Sequence, residues 1–252
     1  MKVSGVVITY NEAQHIESCI RALQQVTDEI IVVDSFSGDN TPEICMNLGV
    51  KFFTHRYEGQ VEQKNYALTL TSYEIVLSVD GDEVLSDKLI NSINIEKSQG
   101  FPCEGYELNR LTNYAGHWIK HGGWYPDWKL RLWHKSKGSW QGQNPHDRVI
   151  LYEDVKSKRL KGDILHYAFE SVREHQSRME NYATIGAQSM FSSGKKANRA
   201  LLLLSPAWKF VRDYLVKRGF LDGKYGFVIA RLSAKSKYLK YKKLLALQQE
   251  NR

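Results

Sequence analysis

The sequence predicts an α/β fold in which helices flank a mixed sheet, with a basic helical appendage at the C-terminal end. Three observations carry this. Apolar, β-branched runs alternate with helix-patterned segments through residues 1–95, the arrangement of a parallel sheet wrapped on both faces by helices. After Ile95 the segments turn shorter and antiparallel in character. From Ser171 onward helical patterning dominates, and Lys and Arg crowd the stretch after Lys195.

Val3 to Thr9 is an apolar run ended by Asn11 and Glu12, and it reads as a buried strand. Ile16, Cys19, Ile20 and Leu23 then recur three and four apart, one side of a helix. Glu29 to Asp34 is a second buried strand, and the Ser-Gly-Asp-Asn-Thr turn after it leads into a helix from Pro42. Val50 to His55 is a third strand, Gln60 to Thr71 a helix, and Ile75 to Val79 a fourth strand whose end carries Asp80. Asn11, Glu12, Asp34 and Asp80 each lie just past a strand end, where open α/β sheets collect their ligands. Gly105 to Arg110, Lys129 to His134, Val149 to Tyr152 and Gly162 to Phe169 supply the later strands, with a loop dense in Gly and Trp among them.

Composition narrows the class. A chain of 252 residues with 42% hydrophobic and 25% charged residues has the balance of a globular protein, large enough for one substantial core. The opening MKVSGVVITYNE is unlike a signal peptide, so the fold is expected to start at Met1. Cys19, Cys45 and Cys103 are odd in number and form no metal-type pair, which suits free thiols in a reducing cytoplasm. The apolar run Ala200 to Leu204 is too short to cross a bilayer. Net charge is +7, divided between −5 over residues 1–194 and +12 over 195–252. The expected domains follow that division: a body at 1–194, with halves at 1–95 and 96–194 where the patterning changes, and a basic helical segment at 195–252. Mixed with Trp208, Phe210, Tyr214, Phe220 and Leu221, the charge of that segment has the composition of one lying on an anionic membrane surface.

Chemistry concentrates on Asp80-Gly81-Asp82-Glu83, which leaves the fourth strand at the pocket rim. Hard carboxylate oxygens at Asp80 and Asp82 suit Mg²⁺ or Mn²⁺ and a diphosphate. Asp34 can accept from a base N–H or a ribose hydroxyl. No GxGxxG or Walker sequence is present, which argues against a dinucleotide enzyme or a P-loop ATPase. His117 and His121 are four apart, but neighbouring glycines argue against a helix and hence against a two-His metal site. Tyr and Lys alternate in KSKYLKYKK, the pattern of a single-strand nucleic-acid stripe, yet the body is acidic and no nucleic-acid motif accompanies it.

ITYNE at Ile8 to Glu12, EIIVVDSFSGDNT at Glu29 to Thr41, QKNYAL at Gln63 to Leu68 and VLSVDGDE at Val76 to Glu83 stand in the order and spacing of the family 2 glycosyltransferases of GT-A fold. GHWIKHGGWYPDWKLRLW at Gly116 to Trp133 and GFLDGKYGF at Gly219 to Phe227 resemble the lipopolysaccharide core β-1,4-glucosyltransferase branch. The resemblance implies a metal-dependent, inverting transfer from a UDP-sugar, UDP-glucose above all, to a lipid-linked glycan such as the lipopolysaccharide inner core. A rhamnosyl or galactosyl transferase of capsule synthesis stays open beside it. By the same resemblance Thr9, Tyr10, Asn11 and Glu12 line the uracil and ribose and Asp34 holds the base. Lys64 lies near the donor ribose or diphosphate, Asp80 and Gly81 face the donor, and Asp82, Asp80 and His166 take the metal. The catalytic base implied is Asp147 in Asn144-Pro145-His146-Asp147-Arg148, where relatives carry His-Glu, with Asp127 in GWYPDW as its rival. Arg110, Arg131, His121 and Trp124 are lesser candidates for sugar or phosphate contacts. The expected location is cytoplasmic and peripheral on the inner face of the cytoplasmic membrane.

Overall fold

A computed structural model describes residues 1–142, 147–152 and 155–250, with the side chain of Glu250 left aside. It resolves into two compact units. The first comprises Met1–Leu111 and Asp127–Tyr167, the second Thr112–Pro126 and Ala168–Arg252.

The first unit opens with β1 (Val3–Thr9), α1 (Ile16–Gln24), β2 (Glu29–Asp34), α2 (Thr41–Asn47), β3 (Lys51–Thr54), α3 (Gln60–Thr69) and β4 (Ile75–Asp80). These four strands are parallel, as their patterning predicts. Strand period sends Val3 and Val7 to one face, where they pack with the predicted stripe of α1. Val6 and Ile8 go to the other face, against Ala67 of α3. Burying a Val, Leu or Ile side chain is worth about 1.5–3 kcal/mol, so a strand covered on both faces is among the most firmly held elements of the fold.

The chain continues through β5 (Glu83–Leu85), α4 (Asp87–Ser98), β6 (Gly105–Tyr114), β7 (His117–Ile119), β8 (Trp128–His134), β9 (Gly138–Gln141), β10 (Arg148–Leu151) and β11 (Ser157–Phe169). The sheet order is β3-β2-β1-β4-β8-β6-β11-β5, and β8 joins antiparallel to both β4 and β6. The antiparallel second half is therefore as the sequence implied. The strands β5, β7 and β9 are not among the expected ones, because β5 and β7 have only three residues each and the GSWQ of β9 offers a single apolar side chain. The last strand also begins earlier than expected, at Ser157 rather than Gly162. Gly162 lies inside it at φ +101°, where a Cβ would stand 2.3 Å from the backbone nitrogen of Leu89 in α4. A glycine that reads as a strand start is instead a point of close helix approach.

The second unit contains β7 paired to Thr112–Tyr114 and the helices α5 (Val172–Ser192), α6 (Arg199–Val211) and α7 (Gly223–Glu250). A π-helical turn at Arg212–Val216 and a 3-10 turn at Gly219–Asp222 link the last two. Charge placed the expected boundary at 194/195, whereas packing divides the chain elsewhere. The Gly- and Trp-rich loop sits with the C-terminal helices because Asp222 accepts from the backbone N–H of Lys120 and His121 and pairs with His121 Nδ1 at 2.9 Å. Tyr114, Trp124, Phe169, His175 and Tyr225 complete that attachment with ring contacts about the buried Tyr114. His117 lies on a strand, so the helix that a two-His metal site would need is not formed. Among the described residues no helix is long and apolar enough to cross a membrane, and Cys19, Cys45 and Cys103 are free.

Candidate active site

Strand register brings the site together. Thr9 stands opposite Asp34 across β1 and β2, and Ile8 opposite Asp80 across β1 and β4, so three motif residues share one carboxyl edge. The N–H of Gly81 donates to the Ile8 carbonyl at 3.0 Å, turning the chain back over β1. A Cβ on Gly81 would stand 2.8 Å from Thr9 Oγ1, so glycine is needed for that approach. Tyr167 of β11 donates its N–H to the Asp82 carbonyl, which fixes Asp82 beside that strand.

Cations hold the first carboxylate. Lys64, almost wholly buried in α3, places Nζ 3.0 Å from Asp80 Oδ1 and 2.7 Å from Asp147 Oδ2. Its ammonium also lies over the Trp140 ring, 4.3 Å from the centroid. Arg131 of β8 approaches Asp80 at 3.6 Å and Glu83 at 3.0 Å. Burial pushes the Asp80 carboxyl up, but Lys64 and then Arg131 outweigh it and hold the group well below the usual carboxylate range. Asp80 is therefore ionised at neutral pH.

Glu83 and Trp140 are the residues that sequence reasoning missed. Glu83 Oε2 accepts the backbone N–H of Asp80, while Oε1 pairs with Arg131 and, at 3.5 Å, with Arg110. It thus orients both arginines offered above as lesser candidates. The signal available was a third acid in the Asp-Gly-Asp-Glu run, since a buried carboxylate demands a cation.

For a divalent metal the donor set divides. His166 Nε2 lies 3.3 Å from Asp82 Oδ2, and both side chains are partly exposed. His166 Nδ1 is buried with no hydrogen-bond partner. A carboxylate and an imidazole side by side fit a divalent ion that takes its other ligands from a diphosphate and water. Asp80, expected as a third ligand, is paired in this structure with Lys64 and Arg131, and among the described residues no group of three or more His, Cys, Asp or Glu is gathered at one point. Lys64, expected by the donor, is the bridge between two carboxylates.

The loop after β1 is tied to the loop after β2. Asn11, at φ +54°, accepts from the N–H of Gly38 and donates its own N–H to Ser37 Oγ, while Glu12 N–H donates to Thr41 Oγ1. Asp34 is fully buried, and both of its oxygens accept from Ser37, one from the N–H and one from the hydroxyl. Its carboxylate shapes the Ser35–Gly38 turn. Tyr10 and Phe36 stand exposed on these two loops.

The two candidate bases differ in surroundings. Asp147 is joined through Lys64 to Asp80, whereas Asp127 is held by Arg110 at 2.8 Å and Lys129 at 3.0 Å. Asn144, Pro145 and His146, which precede Asp147 in its motif, lie outside the described residues. His121 and Trp124 belong to the second unit.

Comparison with known proteins gives the family and the fold. Residues 4–149 match the family model Glycosyl transferase family 2. The chain is 30% identical to an uncharacterized glycosyltransferase of Rickettsia typhi, over 100% of this chain and 89% of that one. It is 24% identical to the lipopolysaccharide core biosynthesis glycosyltransferase LpsC of Rhizobium meliloti, over 96% and 93% of the two chains. Among solved structures, the mannosyltransferase PcManGT of Pyrobaculum calidifontis, in complex with GDP-Man and Mn²⁺, superposes with a TM-score of 0.54 at 15% identity, covering 97% of this chain and 87% of that one. The expected GT-A fold is the fold of this chain.

Proposed function

The chain belongs to glycosyl transferase family 2, and from that premise we propose an inverting, metal-dependent transfer of glucose from UDP-glucose to a lipid-linked glycan of the lipopolysaccharide inner core type. One observation carries the donor half of the proposal: Asp82 and His166 stand together in the unit where Thr9, Asp34 and Asp80 converge. Likeness to LpsC supports the acceptor half.

Asn11, Glu12 and Tyr10 line the base and ribose, on loops held by Ser37 and Thr41. Asp34 takes the base. Asp82 and His166 would hold Mg²⁺ or Mn²⁺, and the ion would supply positive charge to offset that on the leaving diphosphate. Asp80, ionised and pinned by two cations, positions Lys64 toward the same edge. Asp147 accepts the proton of the acceptor hydroxyl as that oxygen attacks the anomeric carbon. The bond from that carbon to the diphosphate breaks, and its electron pair leaves with UDP, so configuration inverts. A lipid-linked acceptor sets the work at the cytoplasmic face of the inner membrane, with the basic C-terminal segment peripheral on it.

Turnover of a panel of nucleotide sugars, with and without Mg²⁺ or Mn²⁺, tests the reading directly. UDP release is expected from UDP-glucose, and Asp82→Ala is expected to abolish it while leaving the circular dichroism spectrum unchanged. Full turnover in excess EDTA removes the metal from the mechanism. A preference for UDP-galactose or an activated rhamnose moves the chain to the capsule-type alternative. Mass spectrometry of lipopolysaccharide from a deletion strain checks the acceptor, the expected result being a core short of one hexose.

A further inference from the structure

The second unit carries an apolar surface that none of its described residues covers. On α6 and the π-helical turn after it, Leu201, Leu204, Trp208, Val211 and Leu215 recur at three and four residues and are all exposed. That is one face of a helix. Leu204 is 69% exposed, Trp208 58% and Leu215 54%, and Leu203 and Val216 beside them are open to a similar degree. A patch so continuous is uncommon on a surface that meets only water. Phe210 and Tyr214, of the same segment, turn inward and pack on one another and on Phe227. The outward stripe is thus distinct from the packing of the segment.

Charge identifies what the stripe meets. Residues 195–252 hold fifteen Lys and Arg against three acids. Of those acids Asp213 is buried against Lys209 and Arg212, and Asp222 is taken up by His121 and two backbone N–H groups. Lys217, Arg218 and Lys224 are exposed just beyond the stripe. Between α6 and α7 an open groove has Pro206, Phe210 and Ala234 in its apolar lining and Arg231 and Lys235 beside them.

We propose that this face docks on an anionic phospholipid bilayer, with Leu204, Trp208 and Leu215 set among the acyl chains and the cations at the headgroup phosphates. A surface-lying basic amphipathic helix binds in this way. The proposal rests on the membrane-surface part of the function argued above and gives it a place in the fold. A second copy of the chain is the poorer occupant, because apposing two such faces sets excess positive charge against itself.

Co-sedimentation of the full chain with vesicles tests this. Vesicles of phosphatidylcholine with about a third phosphatidylglycerol are expected to bind about tenfold or more tightly than phosphatidylcholine alone, and the preference should shrink in high salt. The double variant Leu204→Gln with Trp208→Gln, both at exposed positions outside the active site, is expected to lose about tenfold or more of that binding. Its circular dichroism and its transfer to an acceptor freed of lipid should match wild type. Equal binding to both vesicle types, or full binding by the double variant, overturns the proposal. So does a wild-type dimer that the double variant dissolves while neither protein binds vesicles. Wild-type protein that transfers to the lipid-free acceptor but binds neither vesicle type sinks the docking face alone, and wild-type vesicle binding without transfer from any nucleotide sugar sinks only the proposed function.

Discussion

Lys64→Met replaces the ammonium that bridges Asp80 and Asp147 while keeping chain length and the contact with Trp140, since a thioether also packs well on an aromatic ring. At an effective dielectric constant of about 20, each of the two ion pairs, at 3.0 and 2.7 Å, carries a gross attraction of roughly 5–6 kcal/mol. Desolvation of the buried lysine offsets much of that, and removing one partner of a buried pair typically costs about 3–5 kcal/mol. Asp80 retains Arg131 at 3.6 Å, which argues for the lower end, about 3 kcal/mol. The pH dependence has a definite sign. Asp80 is held below its unfolded value, so the stabilisation it supplies is present above a pH of about 3.9 and lost as pH falls below it. Urea denaturation of wild type and variant at pH 7.5 and about 3.5 should therefore show a gap that narrows in acid. A gap under about 1 kcal/mol at pH 7.5, or one that is equal at both pH values, would refute the assignment of Lys64 as the clamp.

Two further outcomes follow from the geometry. Asp147→Asn keeps size and hydrogen bonding but removes the basic site, so kcat should fall by about a hundredfold or more while UDP affinity, read by calorimetry, hardly changes. If that variant stays within a few fold of wild type and Asp127→Asn is dead, the base is Asp127. His175 is pressed down to about 4 by burial beside Tyr114, below its ordinary 6.5, so the unfolded chain takes up its proton first as pH falls. Stability of the second unit should then drop between those two values by about 3 kcal/mol, and an unchanged urea midpoint between pH 7 and pH 4.5 would contradict this.

The parallel half of the sheet was legible because its strands are buried on both faces and read as unbroken apolar runs. The helix face Ile16, Cys19, Ile20 and Leu23 was legible because every member is buried. Asp82 and His166 were expected at one metal, and they do lie side by side, although 84 positions apart, because β11 pairs with β5 and carries His166 opposite Glu83. Asp80 has surroundings that no local pattern holds. Its partners Lys64 and Arg131 come from α3 and β8, and only the assembled sheet brings two cations onto a carboxylate that spacing alone assigns to a metal.

Residue type and period, which are properties of neighbours along the chain, thus determined the parallel strands, the helices between them, the acids at their ends and the family. Tertiary structure alone decided which acid faces a cation and which a histidine, that Glu83 orients two arginines, and that the Gly- and Trp-rich loop belongs with the C-terminal helices. It also decided which apolar residues of the basic segment face outward, Leu204 and Trp208 among them, and which turn in like Phe210. Each of these depends on a partner distant in sequence, and pairing at a distance is set by sheet register and helix packing, which exist only once the chain has folded.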